Sequence, residues 1–300
     1  MADKRSYIGR FAPSPTGPLH FGSLISAVGS YLQARKAGGK WLVRMEDLDL
    51  PRVVPGAADG ILATLESFGL HWDGEVLFQS SRFRAYASAL EQLEKHIYPC
   101  GCSRTEIRRR AGGRAVYPGT CRAGLPPGKN PRALRLSTRG RQITFRDALQ
   151  GIRHQDLERE VGDFVIRRAD GLFAYQLAVV VDDAEQGITE VVRGSDLLDS
   201  TPRQILLQRL LGYPEPHYVH LPVAVNADGQ KLSKQTHAPP LERSNPLPSL
   251  WRALHFLGQQ PPRELLEGGL DDFWKWAVRH WELEKVPRTL ARPESCAIIE

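Results

Sequence analysis

The sequence predicts an α/β fold built on a parallel sheet, and three observations carry that expectation. Short apolar runs alternate with stretches whose apolar residues recur at helical spacing. Hydrophobic residues make up 41% and charged residues 25%, an ordinary balance for a chain with a buried core. The length, 300 residues, allows one large domain or two small ones. No apolar run approaches the roughly 18 residues that cross a bilayer. The opening MADKRSYIGR holds no apolar segment of a secretory signal. Cysteine is scarce, at 4, which fits a reducing, cytoplasmic setting.

Taken in order, Tyr7 to Phe11 reads as a strand. Ala12-Pro13-Ser14-Pro15-Thr16-Gly17-Pro18 follows, too proline-rich for strand or helix, and therefore a shaped loop. Leu24, Ile25, Val28, Tyr31 and Leu32 mark a helix over Ser23 to Lys36, which Gly38 and Gly39 stop. Trp41 to Met45 reads as a second strand, and Ala57 to Phe68 and Phe83 to Ile97 read as amphipathic helices. From Cys100 to Gly151 the chain turns rich in Gly, Pro and Arg, with short β-like runs at Ala133 to Ser137 and Gln142 to Arg146. This stretch is expected to be an insertion with its own small fold.

The α/β pattern resumes near Phe173, with a strand at Ile188 to Val192 and a helix at Thr201 to Leu211. Thr201 is the expected N-cap of that helix, Pro202 its first helical residue and Gly212 its stop. Two further helices are expected at Pro248 to Leu257 and Asp271 to Glu284. The resulting division is 1–98 for the first half of the core, 99–171 for the insertion, 172–212 for the second half, and 213–300 for a loop and a mainly helical C-terminal region. No repeat or heptad is visible, and nothing predicts an assembly larger than a monomer.

The net charge of +6 is unevenly placed. Pro99 to Gly171 holds 16 Arg and Lys against 7 Asp and Glu, so the rest of the chain is net negative. A basic segment on an otherwise acidic chain suits a polyanionic partner, although a solvated basic face gives the same count.

Two motifs carry chemistry. In Arg10-Phe11-Ala12-Pro13-Ser14-Pro15-Thr16-Gly17-Pro18-Leu19-His20-Phe21-Gly22-Ser23, a strand end leads through a rigid loop to a His and a Gly at a helix N-terminus. Such a terminus offers unpaired N–H groups to phosphate. Gly22 lets a ligand approach the backbone, and His20 can donate to a phosphoryl oxygen. The second motif, Lys231-Leu232-Ser233-Lys234-Gln235, sets two lysines three apart where they can hold a triphosphate. Each motif alone also fits a bland reading, His20 as a satisfied polar residue and the lysines as a surface loop.

In this order the two motifs resemble the HIGH and KMSKS signatures of class I aminoacyl-tRNA synthetases. Val43-Arg44-Met45-Glu46-Asp47-Leu48-Asp49, and Val192-Arg193-Gly194-Ser195-Asp196-Leu197-Leu198 with Thr201-Pro202-Arg203-Gln204, are similar to the glutamyl branch. The resemblance spans about residues 7 to 235. It implies a Rossmann-type nucleotide-binding catalytic core that condenses glutamate with ATP into glutamyl-adenylate, with Mg²⁺. Phosphoryl chemistry of this kind needs positioning and charge neutralisation more than a covalent nucleophile. His20, Lys231 and Lys234 are then the catalytic residues, with His20, Gly22 and Lys234 on ATP. Glutamate brings two carboxylates and an ammonium, which call for arginines and a carboxylate. By resemblance these are Arg10 and Arg193, and Glu46, with Tyr175 lining the pocket and Phe11, Ala12, Pro13 and Ser14 contributing through the strand end and loop. The alternatives are a surface Arg10, a Glu46–Arg193 pair and a core Tyr175. The motifs end on Ser23 and Gln235, departures that leave both lysines in place.

Cys100, Cys102 and Cys121 can bind one structural Zn²⁺ if a fourth ligand is supplied. By resemblance that ligand is Tyr117, with His96 and His154 as fallbacks; three reduced, buried thiols are the alternative. A structural metal suits a segment with few apolar residues. Only 65 residues follow Gln235, fewer than the helical anticodon-reading domain of the full glutamyl enzymes requires. A shortened glutamyl core with this cysteine cluster resembles the glutamyl-queuosine tRNA(Asp) synthetases. That resemblance implies tRNA-independent activation of L-glutamate. It also implies transfer to the queuosine base in the anticodon stem-loop of tRNA(Asp), held by Arg104, Arg108, Arg109, Arg110 and Arg114. The competing expectations are a compact synthetase charging a tRNA 3′ end and a non-catalytic RNA-binding paralogue.

Overall fold

The computed structural model describes residues 6–112, 116–232 and 238–297. The chain opens with β1 (Ile8–Phe11), α1 (Phe21–Lys36) and β2 (Lys40–Met45). The strands are parallel, with Ile8 opposite Lys40 and Phe11 opposite Val43. After α2 (Ala57–Ser67), the short β3 (Leu77–Phe78) joins β2, also in parallel. α3 (Phe83–Gln92) stops earlier than its periodicity predicts, because Ile97–Cys100 is drawn into a strand, β4, with Ile97 opposite Leu136. A long-range strand pairing here overrides the local helical pattern.

Through 99–171 run α4 (Arg104–Arg110), β5 (Ala133–Leu136), β6 (Gln142–Asp147), β7 (Gly151–Asp156) and β8 (Phe164–Arg167). Strands β4, β5 and β8 form a small antiparallel sheet. This stretch divides in two. Leu136, Ile143, Phe164 and Ile166 are buried together with Tyr86 of α3 and with residues of the second half. Among the described residues, only the tip has a cluster of its own, centred on Cys100, Tyr117 and Cys121.

The second half comprises α5 (Tyr175–Glu185), β9 (Glu190–Gly194), α6 (Thr201–Leu211) and β10 (His217–Leu221). β9 and β10 are parallel, and β10 also takes β6 as a neighbour, with Tyr218 opposite Asp147. The hairpin β6–β7 therefore extends the core sheet. α5 escapes sequence periodicity because it is buried nearly all round, including Asp182 and Asp183, and so has no polar face to mark it. Ser200 precedes α6 and Thr201 is its first residue, which corrects the expected N-cap. Gly212 closes the helix in the left-handed region, at φ 67°.

The segments β1-β2-β3 and β7-β6-β10-β9 meet where β1 and β9 lie side by side, Thr189 N–H donating to Ile8 O at 2.9 Å. The chain leaves β1 toward β2 on one side and β9 toward β10 on the other. Loops diverging at such a switch point open a crevice at the carboxyl ends of the strands. The remaining elements are β11 (Val223–Val225), α7 (Leu247–Phe256), α8 (Leu270–His280) and β12 (Ala291–Pro293), which pairs with β11. Leu250, Leu254, Phe256 and Phe273 of the last helices share one core with α1. Tyr31 packs edge-on against both Trp41 and Trp274 at 5.1 and 4.8 Å. No helix among the described residues is long and apolar enough to cross a membrane.

Candidate active site

The crevice is a cleft of about 380 Å³. Arg10 and Phe11 reach it from the end of β1, and Ala12, Pro13 and Ser14 from the loop beyond. Glu46 enters just after β2, Tyr175 at the start of α5 and Arg193 near the end of β9. Glu46 N–H donates to Pro13 O at 2.9 Å, which ties the proline loop to the end of β2. His20, Gly22 and Lys231 line the same cleft. Lys234 lies outside the described residues.

At one end of the cleft sits a network of buried charges. Arg10 is 3% exposed and donates through Nε to Asp183 Oδ1 at 3.1 Å and through Nη2 to Oδ2 at 3.4 Å. Arg44, fully buried, adds a contact to Asp183 Oδ1 at 2.8 Å. Burial acts to raise the Asp183 pKa, but Arg10 and Arg44 outweigh it and hold the carboxyl below its ordinary range. Glu46 differs. Burial pushes its pKa up to about 7, with Arg44 and Arg10 pulling the other way. Its nearest cation is Arg44, at 3.5 Å, and its Oε1 has no hydrogen-bond partner among the described residues. A buried carboxylate left this way favours an added cation, such as the ammonium of an amino acid. Arg10 is thus no surface charge, and Glu46 pairs with Arg44 and not with Arg193. Tyr175 is half-buried, and burial and then the charge of Glu46 raise its phenol, which stays neutral.

Arg193 faces this network. Its Nε donates to His220 Nε2 at 3.1 Å and its Nη2 to Thr201 Oγ1 at 2.8 Å. Its Nη1 is buried with no hydrogen-bond partner among the described residues. One corner of the guanidinium is therefore unmatched inside a ligand-sized cleft, where an anionic oxygen would pair with it. Arg44, Asp183, Thr201 and His220 escaped the sequence reading of the site. The adjacent Asp182-Asp183 pair in an apolar run and a His inside an apolar strand were the available signals, since such groups stay buried only with partners.

At the other end His20 precedes α1, its backbone N–H 3.5 Å from Ser23 Oγ. Gly22, Ser23 and Ser26 bring the N-terminus of α1 to the cleft. A Cβ on Gly22 would come within 3.1 Å of Leu232 O and of the His20 ring, so the two motifs meet at a contact that only glycine makes without displacement. Lys231 follows an Asn226-centred turn, in which Asn226 Oδ1 accepts from Asp228 and Gln230 N–H at 3.1 and 2.8 Å. Its Nζ sits 2.6 Å from Asp196 Oδ2, and both residues line the cleft.

A second cluster lies in the tip of the insertion. The sulfurs of Cys100, Cys102 and Cys121 lie within 4.8 Å of one another, those of Cys102 and Cys121 at 3.6 Å. Thiolates on a tetrahedral zinc, at Zn–S of about 2.3 Å, are roughly 3.8 Å apart. The Tyr117 hydroxyl lies 3.3 Å from Cys100 Sγ and 3.8 Å from Cys102 Sγ, which supplies a fourth donor. Neither His96 nor His154 joins the group, and His154 Nδ1 is bonded to Thr144 instead. Burial, then the neighbouring Cys121, pushes the Cys102 thiol up to about 11, a cost that a bound cation would reverse. The donor set fits a zinc ion. Arg135 caps the cluster, its guanidinium 3.9 Å over the Tyr117 ring and its Nε 3.3 Å from Cys100 Sγ. Arg122, next to Cys121, anchors the tip through Asp163 at 2.5 and 2.7 Å.

The chain is similar in sequence and fold to known proteins. The model of the family described as tRNA synthetases class I (E and Q), catalytic domain, matches residues 8–242. A glutamyl-Q tRNA(Asp) synthetase of Dechloromonas aromatica (strain RCB) is 61% identical over 289 residues, which cover 94% of this chain and 96% of that protein. Another, of Geobacter sulfurreducens, is 54% identical over 297 residues, 95% of each chain. A crystal structure of a glutamate tRNA ligase from Elizabethkingia meningosepticum in complex with its amino acid matches with a TM-score of 0.80 and 26% identity, over 98% of this chain and 68% of that one. The chain therefore belongs to the class I (E and Q) tRNA synthetase family of ATP-dependent ligases, in its glutamyl-Q tRNA(Asp) synthetase branch.

Proposed function

We propose that this chain activates L-glutamate with ATP, without tRNA, and transfers the glutamyl group to the queuosine base in the anticodon loop of tRNA(Asp). The observation that carries the chemistry is a pair of buried atoms lining one cleft without hydrogen-bond partners among the described residues, the Arg193 Nη1 donor and the Glu46 Oε1 acceptor, the latter with only a 3.5 Å ion contact to Arg44. An amino acid with a second carboxylate brings the complementary charges. Its ammonium goes to Glu46, and its carboxylates are held on the side of Arg10 and Arg193, with Tyr175 and Phe11 to Ser14 as walls.

In the first step an α-carboxylate oxygen attacks the α-phosphate of ATP in line, the bond to the β-phosphate breaks, and pyrophosphate leaves. His20, the N-terminus of α1 at Gly22, and Lys231 and Lys234 hold and neutralise the phosphates. Mg²⁺, when bound with ATP, would add charge neutralisation at the phosphates. In the second step a hydroxyl of the queuosine cyclopentene diol attacks the activated carbonyl and AMP leaves. A stacked base is out of reach, so the anticodon loop must open to present it.

The insertion is the RNA-facing side of this reading. Arg104, Arg108, Arg109 and Arg110 are exposed on α4, and Arg114 lies outside the described residues. Arg104 and Arg108 join Arg135 and Arg203 around a cavity of about 400 Å³ beside the cysteine cluster. One zinc on Cys100, Cys102, Tyr117 and Cys121 would hold this tip rigid. The chain would work as a monomer in the cytoplasm.

The experiment is ATP–pyrophosphate exchange with glutamate and no tRNA. Exchange is expected, and Lys234→Ala should slow it at least tenfold while glutamate still binds. No exchange by the wild-type chain would favour a non-catalytic RNA-binding role, and exchange that requires tRNA would favour 3′-end charging.

A further inference from the structure

Beneath Arg193 lies a buried pair that no part of the activity above uses. His220 and Asp147 are 0% and 1% exposed, and His220 Nδ1 is 2.6 Å from Asp147 Oδ2. The two oxygens of Asp147 have separate tasks. Oδ1 accepts three backbone N–H groups, from Leu149 at 3.0 Å, Gln150 at 2.8 Å and His220 at 3.3 Å. Oδ2 faces the imidazole. A carboxylate only accepts, so His220 must carry its proton on Nδ1. That leaves the lone pair of Nε2 facing Arg193 Nε, 3.1 Å away, which only donates, and Thr201 Oγ1, 3.2 Å away, which itself accepts from Arg193 Nη2. Burial, opposed by Asp147, lowers the His220 pKa to about 4 and keeps the ring neutral.

We propose that Asp147 and His220 are positioning residues for amino-acid recognition: Asp147 selects the imidazole tautomer, and that tautomer fixes Arg193 with its Nη1 turned to the substrate carboxylate. This inference rests on the proposed glutamate site. It goes beyond it by giving a buried residue of the inserted hairpin, at the end of β6, control over substrate affinity. Nothing in the tautomer chain touches the nucleotide end of the cleft, so the effect should fall on glutamate alone.

The test uses Asp147→Asn. The three backbone donors hold the Asn oxygen in the Oδ1 place, so its NH₂ group points at His220 Nδ1. The imidazole proton must then move to Nε2, where it opposes Arg193 Nε–H and competes with Arg193 Nη2 for Thr201 Oγ1. The KM for glutamate in the exchange reaction should rise at least tenfold, with the KM for ATP within twofold of wild type. In His220→Gln the side-chain carbonyl can take the acceptor place of Nε2 without help from residue 147. The double variant Asp147→Asn/His220→Gln should therefore bind glutamate better than Asp147→Asn alone, an outcome that general damage to the fold would not give. Nitrogen-15 spectra of histidine-labelled wild-type protein should show His220 protonated at Nδ1, a readout that needs no substrate. A proton on Nε2 in the wild type, an unchanged glutamate KM in Asp147→Asn, or a double variant no better than the single one would each overturn the inference. Wild-type protein that shows the Nδ1 tautomer but no exchange with glutamate would instead overturn the functional reading on which the inference rests, and the inference with it.

Discussion

Glu46 makes the sharpest statement at the scale of single residues. Its carboxyl is pushed from an ordinary 4.5 to about 7, first by burial. An acid whose pKa is raised on folding stabilises the folded state fully below its unfolded value and loses that contribution as pH rises through the folded value. In the ligand-free protein that window runs from 4.5 to about 7, and the amount is on the order of 3 kcal/mol. Denaturation profiles should therefore show Glu46→Gln gaining stability relative to wild type between pH 5 and 8; parallel profiles would discount the buried charge. In the proposed site substrate binding carries the opposite sign, because an ammonium on Glu46 needs its ionised form. The glutamate KM should fall about tenfold from pH 6 to pH 8 in the wild type and stay flat and high in Glu46→Gln. That Arg10, Glu46 and Arg193 share one cleft was legible in the sequence because their motifs are contiguous strings. Asp183 and His220 were not, since their partners lie 173 and 73 residues away and only the fold joins them.

Among the elements, the start of α1 and the segment at Leu232 show how the two motifs depend on each other. Gly22→Ala would push a methyl against the Leu232 carbonyl, a backbone atom that cannot rotate aside. The KM for ATP should rise several-fold with the glutamate KM little changed; an unaltered ATP KM would separate the two motifs. The cysteine cluster at the tip of the insertion, whose donors fit a zinc ion, gives a local test of the same kind. Elemental analysis should find one zinc per chain in the wild type and less in Cys121→Ser. That variant should keep pyrophosphate exchange and lose transfer to tRNA, whereas zinc-free wild-type protein would leave the cluster as buried thiols. The regular elements were legible wherever one face stays wet, as in α2 and α8. The buried α5 and the strand that cuts α3 short were not, because burial on all sides and long-range pairing leave no local period.

For the whole molecule, the proposed function requires the cleft between two half-sheets and the basic surplus of the inserted segment to serve one substrate. Removing Arg108, Arg109 and Arg110 together should weaken tRNA binding and lower its salt slope by about 2, at roughly 0.7 per single-strand phosphate contact, without touching glutamate activation. A slope identical to wild type would place the RNA on another face. The basic surplus of 99–171 was readable from composition alone, but the attachment of its hairpin to the core sheet was not, since Asp147 and Ala148 meet Tyr218 and His220, partners distant in sequence. The most direct measurement is mass spectrometry of nucleosides from 3′-truncated, queuosine-containing tRNA(Asp) incubated with the protein, ATP and labelled glutamate. The label should appear on queuosine. Unlabelled queuosine, with glutamate recovered only on the 3′ end of intact tRNA, would contradict the account.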